Sequence, residues 1–149
     1  MLVKQSRKHY VRVRYAETDK AGVAHHSAYL IWFEEGRVEW LRAVGQTYSD
    51  LETRGIHFPV REVSCRYRSP AFFGDALCVT TTLDKVGKAS VAFTYRIVRP
   101  VDDNLIAKGK TLHACVNEHG RVQPLPTELA SFLPVPVTHA GVAKEKSAD

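Results

Sequence analysis

The longest periodic pattern of apolar and polar residues lies between residues 28 and 44. Its apolar side chains recur at helical spacing and no proline interrupts it, which predicts an amphipathic α-helix. Ser27 is a typical N-cap before this helix, and Gly45 is a typical residue to end it. Gly36 predicts close backbone packing, because a glycine inside a helix costs about 0.5–1 kcal/mol relative to alanine. The apolar face comprises Leu30, Phe33, Trp40, Leu41 and Val44, and Arg37 interrupts it.

Alternation of apolar and polar residues predicts one β-strand before this helix, from His9 to Tyr15, and four after it. Short turns rich in Gly, Pro, Asp and Asn connect the later strands, so consecutive strands are expected to pair antiparallel. Two short helices are predicted, from Tyr48 to Arg54 and from Thr127 to Phe132. The four later strands are predicted at Phe58–Tyr67, Ala76–Val86, Ser90–Arg99 and Leu105–Asn117.

One long helix and five strands indicate an α+β protein in which the sheet curves around the helix to bury apolar surface. A length of 149 residues fits a single domain. We expect this domain to span residues 1–136 and residues 137–149 to form a flexible tail. Unpaired sheet edges would favour an oligomer.

Composition narrows the class of protein. The hydrophobic content of 44% is ordinary for a globular domain, and no apolar run approaches the length of a membrane span. The segment Met1–Arg14 is basic and lacks the apolar core of a signal peptide, which predicts a cytoplasmic protein. Cys65, Cys78 and Cys115 are widely spaced and odd in number, and we expect three buried free thiols.

The net charge of +5 is compatible with an anionic ligand, but solvated strand faces are the simplest explanation for most of the basic residues. No helix-turn-helix, zinc-finger or aromatic RNA-binding signature accompanies the basic residues, so nucleic acid is not the expected partner. A small anionic molecule with a nucleotide tail fits the positive charge as well as a nucleic acid does. The basic residues concentrate in two strands, at Lys4, Arg7, Lys8, Arg12 and Arg14 and at Arg61, Arg66 and Arg68.

The candidate chemistry lies in the segment before the long helix. Asp19 stands in a turn that contains Gly22, and His26 follows seven residues later at the mouth of the helix. A carboxylate that faces the positive end of a helix dipole suits chemistry on a carbonyl group, with backbone N–H groups to bind an oxyanion. The neighbouring His25 and His26 do not predict a metal site, because adjacent side chains point in different directions and no third ligand has a diagnostic spacing.

These residues resemble a known family. The chain is similar to the hotdog-fold acyl-CoA thioesterases of the 4-hydroxybenzoyl-CoA thioesterase type, which include the acyl-CoA thioesterases associated with the Tol–Pal system. Departures from the family pattern occur at Glu17, His25 and Gly36. The resemblance extends from about Tyr10 to about Pro126. Its motifs are Tyr15, Thr18-Asp19-x-x-Gly22-Val23-x-x-His26-x-x-Tyr29, Phe33-Glu34, Tyr67-x-x-Pro70-Ala71, Gly74-Asp75, Ala107-x-Gly109-x-Thr111-x-His113 and Gly120-Arg121.

The resemblance implies a hotdog fold, in which a five-stranded antiparallel sheet wraps around one long central helix, and assembly into homodimers or homotetramers. It implies hydrolysis of a coenzyme A thioester to a free acid and a thiol, with no cofactor, since coenzyme A belongs to the substrate. Asp19 falls on the catalytic aspartate, as general base or as nucleophile. His26 falls on the residue that binds the thioester carbonyl, and its backbone N–H would serve the oxyanion.

Further residues are candidates for substrate binding. Phe58 and Val60 follow the short helix and could line the acyl pocket. Arg66 and Arg68, with Arg61, Lys85 and Lys88, are candidates for the coenzyme A phosphates by charge and position. The residues of the loop and the helix mouth that we expect to contact substrate are Gly22, Val23, His25, Ser27 and Tyr29.

Two other functions compete with hydrolysis. His26 with Glu34 could act as the proton-transfer pair of a hotdog hydratase or dehydratase, although the chain lacks the His-Phe run of those enzymes. A non-catalytic module that binds acyl-CoA is the second competing function.

A helical ion pair between Glu34 and Arg37 is the simplest prediction for those two residues. The acyl group itself is not predicted by the sequence.

Overall fold

The structure, a computed structural model, describes residues 6–127. Five strands form one antiparallel sheet in the order β1-β3-β4-β5-β2, and the long helix α1 packs across one face of it. The predicted five-stranded antiparallel sheet around one long helix is therefore confirmed. The elements are β1 Ser6–Arg12, a 3₁₀ turn Tyr15–Glu17, α1 Ala28–Ala43, α2 Tyr48–Thr53, β2 Val60–Tyr67, β3 Ala76–Val86, β4 Ser90–Arg99 and β5 Asn104–Ala114.

Helix α1 has the predicted bounds within one residue, but its buried face is rotated from the predicted one. Leu30 is 40% exposed, so its assignment to the core face was wrong. Ser27 occupies the N-cap position without a capping hydrogen bond from its side chain. Aromatic bulk decides which face is buried, because large rings gain most from burial. The buried residues of α1 are Ala28, Tyr29, Trp32, Phe33, Gly36, Arg37, Trp40 and Leu41.

Gly36 lies where the helix approaches the sheet most closely. A Cβ atom at this position would overlap the hydroxyl oxygen of Thr81 and press on a methyl group of Val79. The close backbone packing predicted for this glycine is confirmed, and it explains why the helix accepts a residue of poor helical propensity.

Arg37 is buried and does not form the predicted ion pair with Glu34. Its Nη1 donates a 3.2 Å hydrogen bond to the hydroxyl of Tyr95. Burial disfavours the charge, but the hydroxyls of Tyr95 and Tyr48 keep the pKa of Arg37 above its ordinary value. The guanidinium therefore points toward the sheet, where it lies beside Tyr95 on β4.

The Tyr95 hydroxyl begins a chain of buried hydrogen bonds that crosses the sheet. It lies 2.6 Å from the hydroxyl of Thr111, which lies 2.8 Å from Nε2 of His113. His113 Nδ1 lies 3.1 Å from the carbonyl oxygen of Phe58. Because that carbonyl can only accept, Nδ1 carries the proton and Nε2 accepts from Thr111. His113 is therefore a neutral structural residue.

Strands β1, β2 and β5 differ at their ends from the predicted bounds, and β1 begins at Ser6 rather than His9. β1 ends at Arg12, because Val13 hydrogen-bonds to Asp75 and Gly74 and the chain then turns. β2 begins at Val60, since Pro59 has no N–H group for the ladder. β5 ends at Ala114 and continues only as isolated bridges at Val116. The predicted helix Thr127–Phe132 and the predicted tail 137–149 lie outside the described residues, apart from Thr127 itself.

The three cysteines are free thiols. Cys78 and Cys115 are buried as predicted, whereas Cys65 on β2 is half-buried. β2 is an edge strand and most of its residues are exposed. Among residues 6–127, no helix has both the length and the apolar character that crossing a membrane requires.

Candidate active site

Asp19 closes the turn that precedes the long helix. One carboxylate oxygen, Oδ1, accepts hydrogen bonds from the N–H of Ala21 at 2.8 Å and of Val23 at 3.1 Å. The backbone of Asp19 also bonds to Val23 and Gly22. The second carboxylate oxygen, Oδ2, has no hydrogen-bond partner within the described part of the chain, and the residue is exposed. The turn thus fixes one oxygen and leaves the other available.

Gly22 makes this turn possible. Its φ of +80° lies in the left-handed region, and a Cβ atom there would meet no other atom within 4 Å. The position therefore requires glycine for its backbone conformation rather than for space. The carbonyl of Gly22 accepts from the N–H of Phe73, and the N–H of Ala24 donates to Ala71. These bonds seat the turn against the loop before β3.

Glu17 anchors the turn to the protein and was not predicted as a site residue. It is buried, and its carboxylate accepts from the Arg14 N–H at 2.8 Å and from the Arg14 side chain at 3.1 Å. Its Oε2 also lies 3.3 Å from the indole nitrogen of Trp32 on α1. Its backbone carbonyl accepts from the N–H of His25 at 2.7 Å. Glu17 therefore connects the start of the turn to its end at His25 and to Trp32 of the helix.

The two histidines lie at the helix mouth and both are exposed. Their rings lie 4.3 Å apart, between centroids. His25 Nδ1 contacts the hydroxyl of Ser27 at 2.9 Å and accepts from the Ser27 N–H at 3.3 Å. The N–H of His25 is bonded to Glu17, whereas the N–H of His26 has no acceptor among residues 6–127. His26 thus supplies a free N–H donor at the helix mouth.

Tyr67, the last residue of β2, also contacts the helix mouth. Its hydroxyl donates a 2.9 Å hydrogen bond to the carbonyl oxygen of His26. Burial and the neighbouring Cys65 raise the pKa of Tyr67 to about 12, so the hydroxyl stays protonated and able to donate at neutral pH. Its ring packs edge-on against Tyr29, which is buried and packs against Trp32. The motif around Tyr67 was noted in the sequence, but no role was predicted for it.

Other predicted substrate residues lie elsewhere. Phe58 packs with Trp40 and Leu41 at the far end of α1, about 17 Å along the axis from Tyr29 at 1.5 Å per residue. Val60 is exposed at the start of β2. The structure therefore does not bring these two residues to Asp19 within one subunit.

The predicted phosphate-binding cations are distributed over several surfaces. Arg66 lies on the face of the sheet opposite α1, since it pairs with Lys108 and alternates with Cys65 and Tyr67. Arg68 is exposed just after β2, and its N–H bonds to Ile106. Of the remaining candidates, Arg61 is exposed on β2, Lys85 is on β3 and Lys88 is in the β3–β4 turn.

Exposed aromatic rings surround the turn. Tyr15 is 76% exposed and packs edge-on against Phe73, which is 58% exposed. Phe72, bridged to Val23, is 43% exposed.

Within residues 6–127, no three His, Cys, Asp or Glu side chains are grouped so that they could hold a metal ion.

Most of the chain matches a known protein family. Residues 13–133 match the thioesterase-like superfamily, a region that contains the turn, both helices and strands β2–β5. The chain belongs to the thioesterase-like superfamily. The family resemblance inferred from the sequence is thereby confirmed.

Individual relatives of this superfamily cover most of the chain. The chain is 33% identical over 107 residues to the acyl-CoA thioester hydrolase YbgC of Escherichia coli, covering 72% of this chain and 79% of that protein. It is 34% identical over 116 residues to the acyl-CoA thioesterase YbgC of Haemophilus influenzae, covering 77% and 83%. The crystal structure of a hypothetical protein, TT1821 from Thermus thermophilus, is similar with a TM-score of 0.80 at 37% identity, covering 85% and 95%. The hotdog fold is therefore confirmed.

Proposed function

We propose that this member of the thioesterase-like superfamily hydrolyses acyl-CoA thioesters, with Asp19 as the catalytic carboxylate. The observation that carries the proposal is the state of that side chain: Oδ1 is fixed by two N–H groups while Oδ2 is exposed and free of protein partners in the described residues. The relatives named acyl-CoA thioesterase support the same activity. A carboxylate in this geometry is oriented without being neutralised by a cation.

Asp19 can act in two ways. As a general base, Oδ2 takes a proton from water while the water oxygen bonds to the thioester carbon. As a nucleophile, Oδ2 itself attacks that carbon, the C–S bond breaks, and water then hydrolyses the mixed anhydride. In both routes the electron pair of the C–S bond leaves with sulfur, and the products are a carboxylic acid and the coenzyme A thiol. Label in Asp19 after a single turnover in ¹⁸O-labelled water identifies the nucleophilic route with water attacking the Asp19 carbonyl. Trapping of the acyl–Asp19 anhydride identifies the same route when water attacks the acyl carbon.

The oxyanion would be stabilised at the start of α1. The N–H of His26 is a free donor at the positive end of a 16-residue helix. Negative charge develops on the carbonyl oxygen only as the tetrahedral intermediate forms, so a donor placed there lowers the barrier rather than binding the ground state. The imidazole of His26 and the side chains of His25 and Ser27 surround the same position.

We further propose that the working enzyme is an oligomer of this chain, and that a second copy completes the acyl pocket. Asp19 stands on an exposed surface bordered by Tyr15, Phe72 and Phe73. β2, an edge of the sheet within residues 6–127, runs from the helix mouth at Tyr67 back toward Val60. Pairing of two β2 edges would cover apolar side chains and bring the Phe58–Val60 region of one copy toward the turn of the other.

The hydratase alternative receives no support from the geometry. Glu34 lies eight residues beyond His26, or about 12 Å along the helix axis, and it is exposed. A pair that transfers protons at adjacent carbons must have both groups within hydrogen-bond reach of the substrate.

The three free thiols agree with a reducing compartment, and we propose that the enzyme works in the cytoplasm on its coenzyme A substrates.

Thiol release from a panel of aromatic, short-chain and long-chain acyl-CoA thioesters tests the proposed activity. A disulfide reagent that changes absorbance on reaction with free coenzyme A reports each turnover. We expect saturable hydrolysis of at least one class, and the preferred member of the panel defines the acyl group. A protein that binds acyl-CoA without releasing thiol would instead be the non-catalytic module.

A further inference from the structure

The sheet carries a row of cations on the face turned away from α1, which we call the basic face. Register pairs Arg66 on β2 with Lys108 on β5, and Lys108 with Arg96 on β4. The row continues through Thr80 on β3 to Lys8 on β1. Neighbouring strands lie about 4.8 Å apart, so the first three cations fall within about 10 Å and the whole row spans about 19 Å.

The orientation of this row follows from the residues beside it. Tyr95, next to Arg96, stacks on Phe33 of α1, and His9, next to Lys8, contacts Glu35 of α1. Successive residues of a strand point to opposite faces, so Arg96 and Lys8 point away from the helix. Asp19, before α1, is not part of this face.

Like charges that stand directly opposite each other on neighbouring strands destabilise a sheet. Arg66, Lys108 and Arg96 form such a run, and none of them has an ion-pair partner among residues 6–127. Three more cations point to the same face, Lys110, Lys85 and Arg12. The carboxylates near them are Glu62 on the same face and Asp84, whose Oδ2 lies 3.9 Å from Nζ of Lys110. The basic face therefore has a large surplus of positive charge that an anionic surface would neutralise.

The shape of the basic face selects among anionic partners. Its cations are spread over two dimensions of the sheet. The neutral positions between them include Thr80, Thr82 and Thr94 and the buried or half-buried apolar residues Ala92, Val98 and Leu112. Single-stranded nucleic acid needs aromatic platforms, and the register places one exposed aromatic of the described chain there, Tyr10. A protein partner needs a buried apolar anchor, which this row does not offer. The anionic headgroups of a lipid bilayer are mobile, and their binding requires neither aromatic platforms nor an apolar anchor.

We propose that the basic face docks on the surface of a bilayer that contains anionic phospholipids. Each basic residue close to such a surface contributes about 1 kcal/mol, and the attraction falls off within a Debye length. Docking through this face leaves the opposite side of the sheet, with α1 and the turn, toward the aqueous phase. The binding is peripheral and reversible, since it uses charge without an inserted apolar element.

Vesicle co-sedimentation of the full-length chain tests the proposal. We expect the protein to sediment with vesicles of equal parts phosphatidylcholine and phosphatidylglycerol, to remain in solution with phosphatidylcholine alone, and to be released by added salt. The double variant Arg96→Gln/Lys108→Gln should lose about tenfold or more in partition coefficient. The control Lys20→Gln/Arg121→Gln removes the same charge elsewhere on the surface and should keep most of the binding.

Circular dichroism establishes that the double variant is folded before its binding is compared. Lack of binding to the anionic vesicles, or equal loss in the two double variants, would overturn the proposal. Equal affinity for duplex DNA at the same salt concentration would assign the face to polyanions in general and would also overturn it. A changed oligomeric state in Arg96→Gln/Lys108→Gln would identify the face as a subunit contact instead.

Discussion

The hydroxyl of Tyr67 donates a 2.9 Å hydrogen bond to the carbonyl oxygen of His26, and so joins the end of an edge strand to the mouth of the long helix. The free N–H of the same histidine is the donor that we assign to the oxyanion. Tyr67 is therefore a positioning residue: it holds the backbone of His26 in place without being required to touch the reacting atoms.

Tyr67→Phe should lower kcat about tenfold with little change in KM, because the hydrogen bond fixes a donor that matters most in the transition state. Steady-state thiol release on the preferred acyl-CoA measures both constants. Tyr10→Phe is the matched control, since Tyr10 is an exposed tyrosine on the other edge strand. A rise in KM alone, or an equal effect in both variants, would remove this role from Tyr67.

Glu17→Gln should destabilise the protein by about 1–3 kcal/mol, because the buried carboxylate accepts from the backbone and side chain of Arg14 and from Trp32. An amide can replace only part of these bonds and none of the charge. Chemical denaturation measures the free energy of unfolding. Glu52→Gln on the exposed side of α2 should change it by less than about 0.5 kcal/mol, and a similar loss in the two variants would contradict the anchoring role.

Gly22→Ala should reduce both stability and activity. The substitution places a side chain at φ +80°, which costs about 1–2 kcal/mol, and the strained turn would shift the N–H groups that hold Asp19. Gly120→Ala is a close control, since Gly120 has φ +79° and equally open surroundings in a remote turn. We expect it to lose stability but not activity. Full activity of folded Gly22→Ala would show that the turn geometry is unimportant.

The fold could be predicted from the sequence further than the site could. The bounds of α1 and the turns between strands follow from local patterns that need no partner. Arg37 could not be placed, because its burial depends on tyrosines that lie 11 and 58 positions away along the chain. The anchoring by Glu17 and the contact of Tyr67 with His26 depend on tertiary contacts in the same way. Asp19 could be proposed from the sequence because its turn, its glycine and the family motif that contains them are contiguous in the chain.

The buried His113 should make stability depend on pH. Burial and the charge of Arg37 lower its pKa from 6.5 to about 4. Its folded pKa is lower than its unfolded pKa, so the unfolded state binds the proton first as the pH falls. The contribution is fully present above pH 6.5 and is lost progressively toward pH 4, up to about 3 kcal/mol.

Unfolding free energies of wild type and His113→Gln between pH 4 and pH 7 measure this contribution. The variant should be less stable at pH 7 and should show a smaller pH slope. His119→Gln, at an exposed histidine, should keep the slope of wild type. The same slope in wild type and His113→Gln would mean that other groups cause the acid sensitivity.

The central claim is that the Asp19 carboxylate performs the chemistry, and Asp19→Asn tests it most directly. The amide oxygen can still accept from Ala21 and Val23, so the turn should stay intact while the negative charge is removed. With folding verified and Asp103→Asn as control, we predict that kcat/KM for acyl-CoA hydrolysis falls about a hundredfold or more in Asp19→Asn alone. Turnover equal to wild type in Asp19→Asn would contradict the assignment.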